Sequence, residues 1–279
     1  MLRQRVITAV VLLALLLPAL FARGPLPFAL FTLAMISAAG WEWARLNGAA
    51  GQGPALASGA LLAAACGLAL AGPTTIGQSG ALWWTGTAAW LAGGALVLRG
   101  GPAAWPRWPP LLRWALGLAL LWLAWSALAE ASRIGVNFLL SVMCVVWAAD
   151  IAAYFSGRAF GRHKLAPAIS PGKTWEGVAG GIAGVLLLAW LWPQAELRWG
   201  ADSPSVFLLL GQRLGGAGLI ASTLLLTALS VMGDLFESLV KRAAGVKDSS
   251  RLLPGHGGVL DRIDALLPVL PAALALISL

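Results

Sequence analysis

Charge is scarce in this chain. Only 11% of its 279 residues are Asp, Glu, Lys or Arg, while 59% are hydrophobic. So little charge, with a mean hydropathy of +0.82, excludes an ordinary soluble domain. Cysteine is scarcer still. Cys66 and Cys144 both lie inside apolar runs, so they form no disulfide framework, lack metal-ligand spacing and read as small core residues. There is no internal repeat and no separate soluble domain. The formal net charge of +8 would point a soluble protein toward nucleic acid. Here basic loops at a membrane face and an anionic ligand explain it better, and no nucleic-acid partner is expected.

What is abundant is apolar sequence in lengths that suit a bilayer. A hydrocarbon core of ~30 Å needs ~20 apolar residues per helix. Candidate spans cover 6–22, 26–45, 55–72, 80–98, 111–129, 134–155, 176–193, 205–233 and 259–278. Backbone in lipid must satisfy its own hydrogen bonds, and these runs are far too long for barrel strands. The expectation is an all-α polytopic membrane protein with about nine transmembrane helices. The eighth span is interrupted by "GQRLGG" and is expected to break near Leu214. "MLRQR" before the first apolar run resembles a signal peptide, but no small-residue cleavage site follows, and the run reads as an uncleaved first helix.

Lys and Arg set an orientation. Arg3 and Arg5, then Arg99, Arg107 and Arg113, then Arg158, Arg162, Lys164 and Lys173, then Lys241, Arg242, Lys247 and Arg251 fall on one side of a nine-span bundle, the alternative being an even number of spans with the last helix only dipping in. The opposite loops hold single arginines, Arg23, Arg133 and Arg198. The richly basic side is read as cytoplasmic. Trp41, Trp43, Trp83, Trp84, Trp105 and Trp108 sit near span ends and read as an interfacial belt. "GVAGGIAG" places Gly177 and Gly181, and Gly180 and Gly184, at the four-residue spacing that allows close helix packing.

The ionisable residues are unevenly placed. The lysines are Lys164, Lys173, Lys241 and Lys247, and the histidines are His163 and His256. Asp150, Glu176, Asp234, Glu237, Asp248, Asp261 and Asp264 lie in or beside the same two stretches. Residues 1–145 therefore read as N-terminal transmembrane helices. Residues 146–279 read as a catalytic transmembrane region with motif loops, within one membrane unit.

An acid at membrane depth costs about 2.5–3.5 kcal/mol on insertion scales. Asp234 near one helix end, and Asp261 with Asp264 opening the next, therefore call for a cation between them. Oxygen ligands suit Mg²⁺, which takes one or two carboxylates plus substrate phosphates. Pairing of these acids with Arg242 or Arg262, and of Asp150 with Arg158, is the structural alternative. Lys241, Arg242, Lys247 and Arg251 crowd one loop beside "GHGG", whose backbone amides precede a helix. That combination suits phosphate. The loop "GRAFGRHKLAPAISPGKTWEG" repeats the theme with Arg162, Lys164, Ser170, Lys173 and Thr174. It lacks the spacing of a P-loop. The residues together point to a polyphosphate bound with Mg²⁺ at the membrane surface, the second substrate coming from the lipid.

From Ser238 to Asp264 the sequence resembles the phosphatidate cytidylyltransferase (CDP-diacylglycerol synthase) family. Ser238, Lys241-Arg242, Lys247-Asp248, His256-Gly257-Gly258 and Asp261-Arg262-Ile263-Asp264 stand at the spacings of that family's signature. "AYFSGRAFGRHKLAPAISPGKTWEG" is similar to its cytoplasmic loop. The likeness is detailed over about 150–264 and rests on hydropathy before that. It implies conversion of CTP and phosphatidate to CDP-diacylglycerol and pyrophosphate in phospholipid synthesis, Mg²⁺ dependence, and a homodimer in a bacterial inner membrane with the site facing the cytoplasm. It implies catalytic roles for Asp234, Lys241, Lys247, Asp248, His256, Asp261, Arg262 and Asp264, and substrate binding by Arg158, Arg162, Lys164, Ser170, Lys173, Thr174, Ser238, Arg242, Gly257 and Gly258. It puts a metal at Asp234 and Asp261, with Asp264 beside them. His256 is expected to orient phosphate. The reacting cavity is expected where the eighth span ends and the ninth begins, covered by the loop 158–175. A transporter or flippase of a phosphorylated lipid, or a polyprenol or dolichol kinase-like enzyme, remains the alternative. A transporter would carry inverted repeats and charge on both faces, and neither is present.

Overall fold

The computed structural model describes residues 2–71 and 80–279. Every predicted apolar segment is helical. α1 (Leu2–Leu20), α2 (Leu26–Leu46) and α3 (Gln52–Ala71) come first. The predicted end of the third span, Gly72, lies outside the described residues. The fourth span is α4 (Gly80–Ala89), a π-helical turn (Trp90–Gly94) and α5 (Ala95–Gly100). α6 (Pro110–Ile134), α7 (Val136–Phe160), α8 (Trp175–Trp199) and α9 (Val206–Ala243) follow, then α10 (Leu260–Ile263) and α11 (Leu266–Ile277). Among the described residues, seven helical stretches are long and apolar enough to cross a membrane.

Two of the nine predicted spans are not among them: the first, whose apolar helix Val6–Leu20 is shorter, and the ninth. The ninth divides into the short α10 and the 12-residue α11, which at 1.5 Å per residue is ~18 Å long. Its environment explains how so short a piece persists. Every residue from Leu266 to Leu276 is buried, and α4, α6, α7 and α9 all pack on it. A helix that is apolar all round belongs in the middle of a bundle.

The break predicted in the eighth span is real. Gly215 has φ 67° and ψ −177°, a conformation only glycine adopts freely, so α9 is two helices joined at a kink. α9 also runs past its predicted end at residue 233 to Ala243. Lys241 and Arg242 therefore belong to its last turn and not to a loop.

α7 and α8 form a tight antiparallel pair. A Cβ at Gly181 would meet the Ala149 carbonyl and the Ala153 side chain, and one at Gly184 would meet Ala152. The four-residue glycine spacing thus serves close packing as expected. Between these helices the segment read as loop contains a hairpin, β1 (Lys164–Ala166) with β2 (Ser170–Thr174), paired antiparallel. Thr174 then caps α8, its Oγ1 accepting from Gly177 N at 3.1 Å.

The tryptophan belt is only partly a belt. Trp43, Trp83 and Trp105 are buried. Trp43 stacks on Phe236 at 6.1 Å, and Trp105 meets both rings edge-on. Their indole N–H groups find partners inside: Trp43 donates to the Arg113 carbonyl and Trp105 to Asn47 Oδ1. A buried indole needs such a partner, and span ends that turn inward supply it.

Candidate active site

Two polar assemblies share the bundle end where α7 and α9 finish and α8 and α10 begin. The first is a cavity of about 480 Å³ between α7, the hairpin, α8 and α9. Asp150, Tyr154 and Arg158 line it from α7, Ser170, Lys173 and Thr174 from β2, and Asp234 from α9. Its inner wall is apolar, with Ala149, Val178, Gly181 and Val231. Lys173 Nζ lies 2.6 Å from Asp234 Oδ2, which ties the hairpin to α9. Ser238, one turn on, donates to Asp234 Oδ1 at 3.2 Å. Arg242 Nε donates to the Ile169 carbonyl at 3.3 Å, a second tie between the two elements.

The second assembly is a knot of buried ionic groups. Lys241 Nζ pairs with Glu237, one turn back on α9, and with Asp261 Oδ1 at 2.5 Å. The Glu237 side chain is only 2% exposed, so Lys241 supplies its charge balance. Asp261 Oδ2 accepts from Ser249 N at 2.9 Å, Ser249 Oγ at 2.9 Å and Gly258 N at 2.7 Å. Among the described residues neither Arg242 nor Arg262 pairs with these acids. The Arg158 guanidinium meets the Tyr154 hydroxyl at 3.3 Å rather than Asp150.

Most of the predicted residues fall into three groups. Arg158, Ser170, Lys173, Thr174 and Asp234 share the cavity. Lys241 and Asp261 share the knot, and Asp264 begins the link to α11, its Oδ1 accepting from Ala265 N at 2.8 Å. Arg162, Lys164, Lys247, Asp248 and Arg262 are exposed and make no ion pair among the described residues. Asp261 and Asp264 do not line the cavity as expected; α7 contributes the missing wall, because its last turns lie beside Asp234. His256 Nδ1 is buried and has no hydrogen-bond partner among the described residues.

The site also contains a residue that sequence reasoning passed over. Glu42 on α2 is fully buried. Its Oε1 accepts from Ser250 Oγ at 2.6 Å and Val259 N at 2.9 Å, and its Oε2 from Leu260 N at 2.7 Å and Ser249 Oγ at 3.1 Å. A signal was present: apart from Glu130, Glu42 is the only acid before Asp150, and it sits inside an apolar run. A carboxylate there needs partners.

This geometry agrees with what the chain is similar to. A model described as the cytidylyltransferase family matches residues 3–279. The chain belongs to that family. It is 40% identical over 285 residues to a phosphatidate cytidylyltransferase of Pseudomonas aeruginosa, covering 99% of this chain and 97% of that one. It is 39% identical over 282 residues to the protein of the same name from Brucella suis, covering 100% and 92%. A Staphylococcus aureus protein of that name is 42% identical over 142 residues, 51% of this chain and 49% of that one. As a family member the chain is a nucleotidyltransferase and an integral membrane enzyme.

The resemblance implies a divalent ion, whose candidate ligands are the carboxylates of Asp234, Asp261 and Asp264; here Asp234 is engaged by Lys173 and Ser238, and Asp261 by Lys241, Ser249 and Gly258. Asp234, Asp261 and Asp264 offer hard carboxylate oxygens at adjoining helix ends. Among the described residues no three His, Cys, Asp or Glu stand close enough to hold an ion by themselves. An ion at one of these carboxylates would take most of its ligands from phosphate and water, as Mg²⁺ usually does.

Proposed function

We propose that this enzyme transfers the cytidylyl group of CTP to phosphatidate, giving CDP-diacylglycerol and pyrophosphate. The observation that carries the reading is the cavity: two cations, two acids and the hydroxyls of Ser170 and Thr174 share it with an apolar wall, at the end of apolar helices. A phosphate headgroup meets Arg158, Lys173, Ser170 and Thr174 there, while acyl chains stay in the bilayer. The exposed Val6, Ile7, Val10 and Val11 of α1 support a lipid-facing surface.

The chemistry needs little from the protein beyond placement and charge. A phosphate monoester has its second pKa near ~6, so phosphatidate supplies its own nucleophilic oxygen at neutral pH. A new P–O bond forms at the α-phosphorus of CTP, the α–β bridging bond breaks, and pyrophosphate takes that electron pair. The obstacle is repulsion between two anions. Lys173, Arg158 and the exposed cations Arg162, Lys164 and Lys247 offset it by charge neutralisation. Asp234 and Asp261, with Asp264 beside them, are the residues that would hold Mg²⁺, which polarises phosphoryl oxygens when bound. Asp234 pairs with Lys173, so a metal-binding carboxylate and a phosphate-binding cation start side by side.

The basic end of the bundle is proposed to face the cytoplasm of a bacterial inner membrane, where CTP is available. A homodimer is proposed on the family resemblance, and crosslinking in the membrane would reveal it. Purified protein supplied with CTP, phosphatidate and Mg²⁺ should release pyrophosphate in step with CDP-diacylglycerol. Absence of both products, with transport of phosphatidate across vesicles instead, would replace this reading with a flippase.

A further inference from the structure

We propose that Glu42 is a positioning residue for the transfer site: it fixes the shape of the segment 249–260 and so places Asp261 and Lys241. This rests on the reaction proposed above. Burying a carboxylate without partners is costly, so its surroundings must satisfy it. Here the donors around Glu42 are all neutral and all come from that one segment, the single Ser249 hydroxyl proton being shared with Asp261. None of them is a lysine or arginine. A single carboxylate thus gathers both ends of an irregular loop, Ser249 and Ser250 at one end and Val259 and Leu260 at the other.

Asp261 grips the same two ends. Its Oδ2 accepts from Ser249 N and from Gly258 N, and Ser249 Oγ lies within reach of both Glu42 and Asp261. The two carboxylates face each other across that hydroxyl. Gly258 sits between them: a Cβ there would run into Ser249 Oγ and the Glu42 carboxyl group. This is why the second glycine of "HGG" has to be glycine. Gly257, at φ 84°, supplies the turn before it. His256 lies between the two fixed ends. Its placement, and that of the Asp261–Lys241 pair, therefore depends on an anchor more than two hundred residues away in sequence.

Glu42→Gln keeps the shape of the side chain but turns one acceptor oxygen into a donor facing other donors. Two readouts are taken on the full-length protein in nanodiscs: amide hydrogen exchange, and steady-state kcat and KM for CTP. Loss of a hydrogen bond to a charged group is worth about tenfold or more, so the Val259 and Leu260 amides should exchange about tenfold faster, with α7 and α8 unchanged. KM for CTP should rise by a similar factor. A merely structural role would lower kcat through loss of folded enzyme and leave KM alone. Ser250→Ala removes one donor and is the milder variant should Glu42→Gln not fold; it should move both readouts the same way. Unchanged exchange over 249–260, or an unchanged KM for CTP, in the variant that folds would overturn the proposal. If the unsubstituted protein turns over no CTP, the proposed reaction has failed, and the exchange result alone then decides whether Glu42 holds the segment.

Discussion

Lys173 on the hairpin and Asp234 on α9 pair at 2.6 Å across the mouth of the cavity. Neither side chain is fully buried, so this pair is accessible to an incoming phosphate, which can compete with Asp234 for the ammonium. Lys173→Ala should therefore lower kcat/KM for CTP or phosphatidate by about 10- to 100-fold, the range for a lost hydrogen bond to a charged group. Wild-type kinetics in that variant would remove Lys173 from the site.

Asp261→Asn and Asp234→Asn should each abolish turnover at every Mg²⁺ concentration, measured on the monodisperse, folded fraction of each variant. Titrating pyrophosphate release against Mg²⁺ is the measurement. Recovery at high Mg²⁺ would mean that the carboxylate tunes affinity and is not required for the reaction.

Lys241 behaves differently from an open-loop cation. Removing it leaves the Glu237 carboxylate buried without its partner. Breaking a buried pair in this way costs about 3–5 kcal/mol. Lys241→Ala should thus lower thermal stability markedly, and Lys241→Ala combined with Glu237→Gln should recover much of the loss. Equal stability of single and double variants would show that the pair is not a stabilising unit.

The α7–α8 contact is sensitive to bulk at its glycines. Gly181→Val pushes a branched side chain against the Ala149 carbonyl and Ala153. Overpacking of this kind costs about 1–3 kcal/mol. The melting temperature in detergent should fall, and activity should fall with it, because both helices line the cavity. An unchanged melting temperature would refute the tight contact.

Sidedness can be read with single cysteines at Lys164 and Lys247, which are exposed, unlike Ser250 with its bond to Glu42. A membrane-impermeant thiol reagent should label both from the cytoplasmic face alone. Labelling from the outer face of sealed, right-side-out vesicles would reverse the orientation.

Much of the site was legible because its chemistry is local in sequence. Ser170, Lys173 and Thr174 lie within five residues, and their clustering with glycine and proline marked them before any fold was known. Asp234 and Asp261 stood out as acids at the edges of apolar runs. Asp150 was visible too, but its place in the cavity depended on which face of α7 turns toward α9. The hairpin was hidden by proline and glycine that read equally well as loop.

What the sequence determined by itself is the set of apolar helices, since backbone in lipid has no water to bond and the runs are too long for strands. It also determined which residue types could bind phosphate and metal. Tertiary structure decided how they are used. Lys241 looked like a free cation and is held by two carboxylates, because α9 continues past the predicted span end and turns that side chain toward Asp261. Glu42 looked isolated and became the anchor of the signature segment, because packing of α2 on α10 brings it to Val259 and Leu260. A hydrogen bond is a short-range interaction whose partners can lie anywhere in the chain, so only the packed bundle could select these.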